Sequence, residues 1–121
     1  MTGYTANLET TTHDNDDFRH VLYTGEHAQL VAMTLRPGES IGLETHPTID
    51  QFIRVEAGMA EATLDGEEHR LGDGDVVVVP AGVEHDVTNV SDDMELRLST
   101  IYSPPAHPDG TVEHTKQAEA Q

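Results

Sequence analysis

The chain contains no cysteine. Disulfides and thiolate metal sites are therefore excluded, and any metal ion must be held by nitrogen and oxygen donors. Basic residues are nearly as scarce. Six Lys and Arg stand against 23 Asp and Glu, for a formal charge of -17, and Lys116 is the single lysine. A surface of that charge repels nucleic acid and anionic membranes, so neither is expected as a partner. No apolar run approaches the ~20 residues of a membrane span. Met1 to Asp17 is polar and acidic, unlike the basic and then apolar start of a secretory signal. Cytoplasmic residence is the resulting expectation. Internal repeats and phosphate-cradling Gly-rich loops are also missing; the glycines fall at turns.

What is abundant is dispersed carboxylate. Such a surface suits a protein working in concentrated salt, where counterions screen self-repulsion to a few Å, better than it suits docking of a cationic partner. A halophilic source is expected.

At 121 residues the chain has the length of one domain with its own core. Residues 1–17 carry no apolar periodicity and include the turn-rich run Thr10 to Asp17, which reads as an N-terminal polar arm or a frayed start. Residues 18–103 are β-rich, with short strands expected at Arg19–Tyr23, Ala28–Leu35, Gln51–Glu56, Ala60–Leu64, Glu68–Leu71, Val76–Val79, Glu84–Val90 and Met94–Tyr102. Turn signals such as Pro37-Gly38, Asp65-Gly66 and Gly72 punctuate them. The four successive valines Val76–Val79 suit a strand buried on both faces. Roughly nine or ten closely spaced strands argue for an all-β jelly roll, which hides strand edges in a doubled sheet. Residues 104–121 form an irregular C-terminal tail: Pro104 to Gly110 is a stiff turn region, and Lys116 to Ala120 offers a helix start.

Two stretches carry the chemistry. In the first, Gly38 is followed by five residues, then Glu44-Thr-His46, four residues, Gln51, six residues and Gly58. In the second, Gly74 is followed by five residues, then Pro80-Ala-Gly82, two residues, His85, three residues and Asn89. Fifteen residues separate them. The pattern resembles the two motifs of the cupin superfamily over roughly Leu30 to Tyr102. It departs from the family at two ligand positions, with Glu44 in place of the first His of a pair and Gln51 in place of Glu. The resemblance implies a cupin jelly-roll barrel (a double-stranded β-helix) and the metal ligands Glu44, His46, Gln51 and His85. It is closest in layout to small single-barrel cupins of the mannose-6-phosphate isomerase-like kind.

On a strand, residues two apart share a face, so Glu44 and His46 are expected to project together into the barrel, with Gln51 and His85 at strand starts near its mouth. Two imidazoles and a carboxylate suit an open-sited first-row divalent ion, with Gln51 as a weak neutral fourth donor. Iron, manganese, nickel and zinc all fit, and the ion would act as a Lewis acid on a small oxygenated ligand. His13, His20, His27, His69, His107 and His114 lack the motif spacing and read as surface residues, although His107 and His114 would meet substrate if the tail folds over the mouth. Met33 and Tyr102 read as packing. Phe52 and Arg54 fall on the face of their strand opposite Gln51, where a homodimer contact is expected, since a short chain gains burial by pairing.

Two classes of function follow. One is a metal-dependent enzyme of dioxygenase or sugar-isomerase type; the other is a non-catalytic cupin that binds or senses a small molecule. A phosphosugar isomerase needs cations for the phosphate, and none of the six basic residues lies in a motif.

Overall fold

A computed structural model of the protein describes residues 3–116. One helix, α1 (Leu8–His13), precedes nine strands: β1 (Arg19–Thr24), β2 (Gln29–Leu35), β3 (Asp50–Ala57), β4 (Ala60–Leu64), β5 (Glu67–Leu71), β6 (Val76–Val79), β7 (His85–Asn89), β8 (Leu96–Ser103) and β9 (Val112–Glu113). They form a six-stranded sheet in the order β6-β3-β8-β2-β1-β9 and a three-stranded sheet in the order β5-β4-β7. Every pairing is antiparallel. The result is the all-β jelly roll expected from the strand spacing.

The core lies between the sheets because residues of alternating polarity turn one face inward. Along β3, Gln51, Ile53 and Val55 are buried while Phe52 and Arg54 face out. Their partners in β8 repeat the pattern, so Tyr102 opposes Gln51 and Thr100 opposes Ile53 on the inner face. The inward row is apolar in its middle and turns polar towards one end, at Gln51, Tyr102 and Gln29. That end is the mouth.

Two motif glycines hold backbone turns that a side chain would strain. Gly58, at the β3–β4 turn, has φ of 115°, and a Cβ there would stand 2.9 Å from the Glu95 carbonyl oxygen. Gly82, at the turn into β7, has φ of 89° and donates its N–H to the His46 carbonyl at 2.8 Å.

Four expectations need correction. Glu44 and His46 do not lie on a regular strand. The segment 36–49 runs beside β7 with only isolated bridges at Ser40↔Thr88 and Glu44↔His85, although Ile41 N–H also donates to the Val87 carbonyl. It thus extends the small sheet by an irregular fourth chain. The valine run of β6 is not buried on both faces. Val77 and Val79 face the core, but Val76 and Val78 are exposed, because β6 is the edge of the large sheet and no described residue covers its outer side.

Residues 1–17 are not a featureless arm. Asn7 caps α1 by accepting the Thr10 N–H at 3.0 Å, the Thr12 side chain is buried, and Arg97 donates to the carbonyls of Thr12 and Asn15. A six-residue helix rich in threonine is too short to persist alone, so this tertiary anchoring holds it. The tail, finally, is irregular except for one two-residue strand. Its Val112 and Glu113 pair with His20 and Arg19 as the last strand of the large sheet. Of the expected helix start at Lys116 to Ala120, all but Lys116 lies outside the described residues.

Candidate metal centre

His85 opens β7 with its ring buried, 2% exposed. Its Nδ1–H donates to the Val83 carbonyl at 3.0 Å, which leaves the lone pair on Nε2. That lone pair faces Gln51 Oε1 at 3.2 Å, while the Gln51 amide nitrogen donates to Thr100 Oγ1 at 3.1 Å. Two acceptors facing one another repel unless a proton or a cation lies between them. Adjacent donors about 2.1 Å from a common ion and at right angles stand about 3 Å apart, which is the separation observed here.

Glu44 reaches the same spot because its backbone exchanges both hydrogen bonds with His85, at 2.9 and 2.8 Å. His46, two residues on, is tied by its carbonyl to the Gly82 turn. Its Nε2 lies 3.3 Å from Glu44 Oε1, yet the direction is not that of a hydrogen bond and this buried nitrogen has no partner. One ligand atom each from Glu44, His46 and His85 falls within 4.8 Å of the others, a group able to hold a metal ion. The donor set is nitrogen and oxygen without sulfur, as first-row divalent ions accept, and the orphaned His46 Nε2 supplies the unused lone pair such an ion requires. Glu44 and His46 are partly exposed, with side chains 37% and 21% accessible, so solvent and small ligands reach the group past them.

Surface clefts lie elsewhere, and among the described residues the triad is the one group of His and carboxylate ligand atoms that converges. One of about 390 Å³ lies between α1 and Arg97, and one of about 450 Å³ is walled by Tyr23, Leu30 and Ile101. Neither includes a residue of the triad. The first mixes carboxylates with the already bonded Arg97, and the second is nearly all apolar. Converging lone pairs therefore locate the candidate site better than cleft size does.

Beside the triad, Tyr102 is almost wholly buried, and its ring meets those of His46 and His107 edge-on at centroid distances of 6.0 and 5.0 Å. Burial pushes the Tyr102 hydroxyl up to about 12 against the pull of the neighbouring Arg19, with the Glu44 charge adding to the rise. His107 is pushed down to about 4, chiefly by burial and then by Arg19, with Glu113 opposing. Both groups are thus uncharged near neutrality.

The tail does fold towards the mouth, but it delivers His107 and not His114, whose Nδ1 lies 2.6 Å from Asp17 Oδ1 on the surface. His20, His27 and His69 also sit beside surface carboxylates. Arg54 faces outward next to Glu56. Sequence reasoning missed Arg19, which β1 turns towards Tyr102 and which pairs closely with Glu113. Its only signal was its place two residues before the inward Val21.

A family model for the cupin domain matches residues 31–102. The chain belongs to the cupins. This cupin is 41% identical over 119 residues to YrkC of Bacillus subtilis (strain 168), covering 93% of the chain and 63% of that relative's length. The structure of BH2720 from Bacillus halodurans superposes with a TM-score of 0.88 at 39% identity, covering 92% of this cupin and 88% of that chain. A more distant match is quercetin 2,3-dioxygenase of Bacillus subtilis, 30% identical over 102 residues that cover 78% of this cupin and 30% of that protein.

Proposed function

We propose that this cupin holds one divalent ion through Glu44, His46 and His85, with Gln51 as a fourth, neutral donor, and acts on a small oxygenated substrate as a dioxygenase-type enzyme. The observation that carries the reading is the unpartnered, buried His46 Nε2 beside a carboxylate and a second imidazole lone pair. Bound there, iron, manganese, nickel or zinc would supply Lewis acidity to ligand oxygens, and the oxidative reading requires one of the redox-active ions. The chain's own residues orient the donors: Val83 sets the His85 tautomer, Thr100 sets the Gln51 amide, and Glu44 is positioned by its backbone bridge. The quercetin dioxygenase match supports this reaction class, and the commitment of four of the six basic residues to carboxylates disfavours a phosphosugar isomerase. Arg19 is neutralised by Glu113, and Arg54, Arg70 and Arg97 stand beside other carboxylates.

The test is metal analysis of protein purified without chelator. Close to one ion per chain is expected, with loss in the His46→Ala, His85→Ala double variant while the β circular-dichroism signal stays. Full occupancy in the double variant sinks the site. Oxygen uptake with small enediol or flavonol compounds then separates turnover from mere binding.

Two features of the surface extend the reading. Across the large sheet, Val78 opposes Phe52, Phe52 opposes Ile101 and Ile101 opposes Leu30, an uncharged row on the outer face of an acidic molecule. It is where a second copy can approach without carboxylates meeting, which supports a homodimer. Sedimentation showing only monomer, in the parent as in Phe52→Asp, refutes that. The acidic surface supports a halophilic cytoplasm as the working environment. Thermal midpoints should rise steeply from dilute buffer to multimolar KCl, where the Debye length falls to about 3 Å or less. Equal salt dependence after several surface Asp and Glu are changed to Asn and Gln would remove charge repulsion as the cause.

A further inference from the structure

Three buried side-chain polar atoms lack a partner among the described residues: His46 Nε2, His107 Nε2 and Arg19 Nε. The first belongs to the candidate metal centre. The other two flank Tyr102 from elements that neither motif contains, the tail and the start of β1. Their positions are firmly built. The Gln29 side chain, itself 1% exposed, donates through Nε2 to the His107 carbonyl at 2.8 Å and accepts the Ala106 and His107 N–H groups on Oε1 at 3.1 and 3.0 Å. Arg19 is 9% exposed and is held by Glu113 through Nη1. An unsatisfied buried polar group costs about 1–3 kcal/mol. Two such groups beside a tyrosine hydroxyl and next to a metal-binding triad are best accounted for by a ligand that satisfies them.

Charge narrows the class of ligand. A divalent ion with Glu44 leaves one net positive charge, imidazoles bind such an ion as neutral rings, Arg19 and Glu113 cancel, and His107, Tyr102 and Gln51 are neutral. One negative charge on the ligand balances the cup, and a second would be buried without a counter-charge.

We propose that Arg19, Tyr102 and His107 form a second recognition site beside the metal triad, which selects a small monoanionic hydroxy- or oxo-carboxylate. Arg19 Nε and the Tyr102 hydroxyl donate to the ligand's carboxylate, and His107 Nε2 bonds its hydroxyl. This rests on the metal reading, since the ion supplies the unbalanced charge.

The test uses the whole chain loaded with Co(II), with glycolate as the monoanionic probe and glycerol 3-phosphate as the dianionic one, both followed by calorimetry. The parent should bind glycolate more tightly than the phosphate ester by about tenfold or more, the scale of one charge-assisted hydrogen bond. His107→Phe keeps a ring against Tyr102 and removes the nitrogen. Arg19→Met with Glu113→Gln removes the donor while preserving net charge. Each should weaken glycolate about tenfold while leaving Co(II) affinity within about twofold. Unchanged glycolate binding in both variants overturns the inference alone, as does a parent that prefers the dianion or ignores glycolate at millimolar concentration. The parent-only comparison decides the matter even if a variant fails to fold. A parent that takes up no Co(II) instead overturns the metal reading and this inference with it.

Discussion

The two halves of the cup are built differently. Glu44, His46, Gln51 and His85 come from two motif segments of fixed spacing, tied to each other by the Glu44–His85 bridge and by the Gly82 N–H on the His46 carbonyl. Arg19, Tyr102 and His107 come from β1, β8 and the tail, and are brought together by strand pairing across most of the chain length. The first half is set by two motif spacings and the bridge that joins them, and the second by the register of the large sheet.

The largest expected effect separates the halves by metal affinity. His85→Ala should weaken binding of the ion at least about 100-fold, whereas His107→Phe should leave it unchanged. Titration of the metal-free proteins with Co(II) measures both, and equal losses would merge the halves into one site. Next in size is Asn89→Ala. This motif residue is buried and holds the Leu35 and Met94 carbonyls at 3.1 and 2.9 Å while accepting the Ser91 N–H. Its removal should cost about 2–4 kcal/mol in urea unfolding of the metal-free protein, with the triad geometry intact. If metal affinity falls instead while stability holds, Asn89 belongs to the site and not to its frame.

The smallest effect probes the tail half by pH. Folded His107 takes up its proton near pH 4, against an ordinary value of 6.5 in the unfolded chain. Between those values the unfolded state binds more protons, so the group's contribution is complete above about pH 6.5 and is lost as pH falls towards 4. His107→Asn should erase that part of the acid sensitivity. The stability difference between parent and variant, measured without metal, should shrink by about 1–3 kcal/mol from pH 7 to pH 4. A constant difference means His107 is solvated and the tail does not close on Tyr102.

Much of the fold was legible because it is local. Alternation along β3 placed Gln51 and Ile53 inward, and Gly or Pro at the turns marked where strands end. The valine run misled because a run of apolar residues does not say whether the second face is covered. Here the same sheet has α1 over β2, β8 and β3, while among the described residues Val76 and Val78 of β6 stay exposed. The N-terminal helix was illegible for a related reason: threonines at Thr10, Thr11 and Thr12 have weak helix propensity, and contacts with Arg97, 85 positions later in the chain than Thr12, hold them.

By itself the sequence determined that no thiolate enters any site, that the chain is strongly acidic, that short strands build a jelly roll, and that Glu44, His46, Gln51 and His85 occupy motif positions. These depend on composition and on spacings of a few residues, which the geometry of strands and turns translates directly. Only the tertiary structure decided that Glu44 reaches His85 from an irregular segment, that Tyr102 carries its hydroxyl to Arg19, and that His107 returns to the mouth. Each depends on sheet register between residues tens of positions apart, which is set by how the whole core closes and leaves no local pattern in the chain.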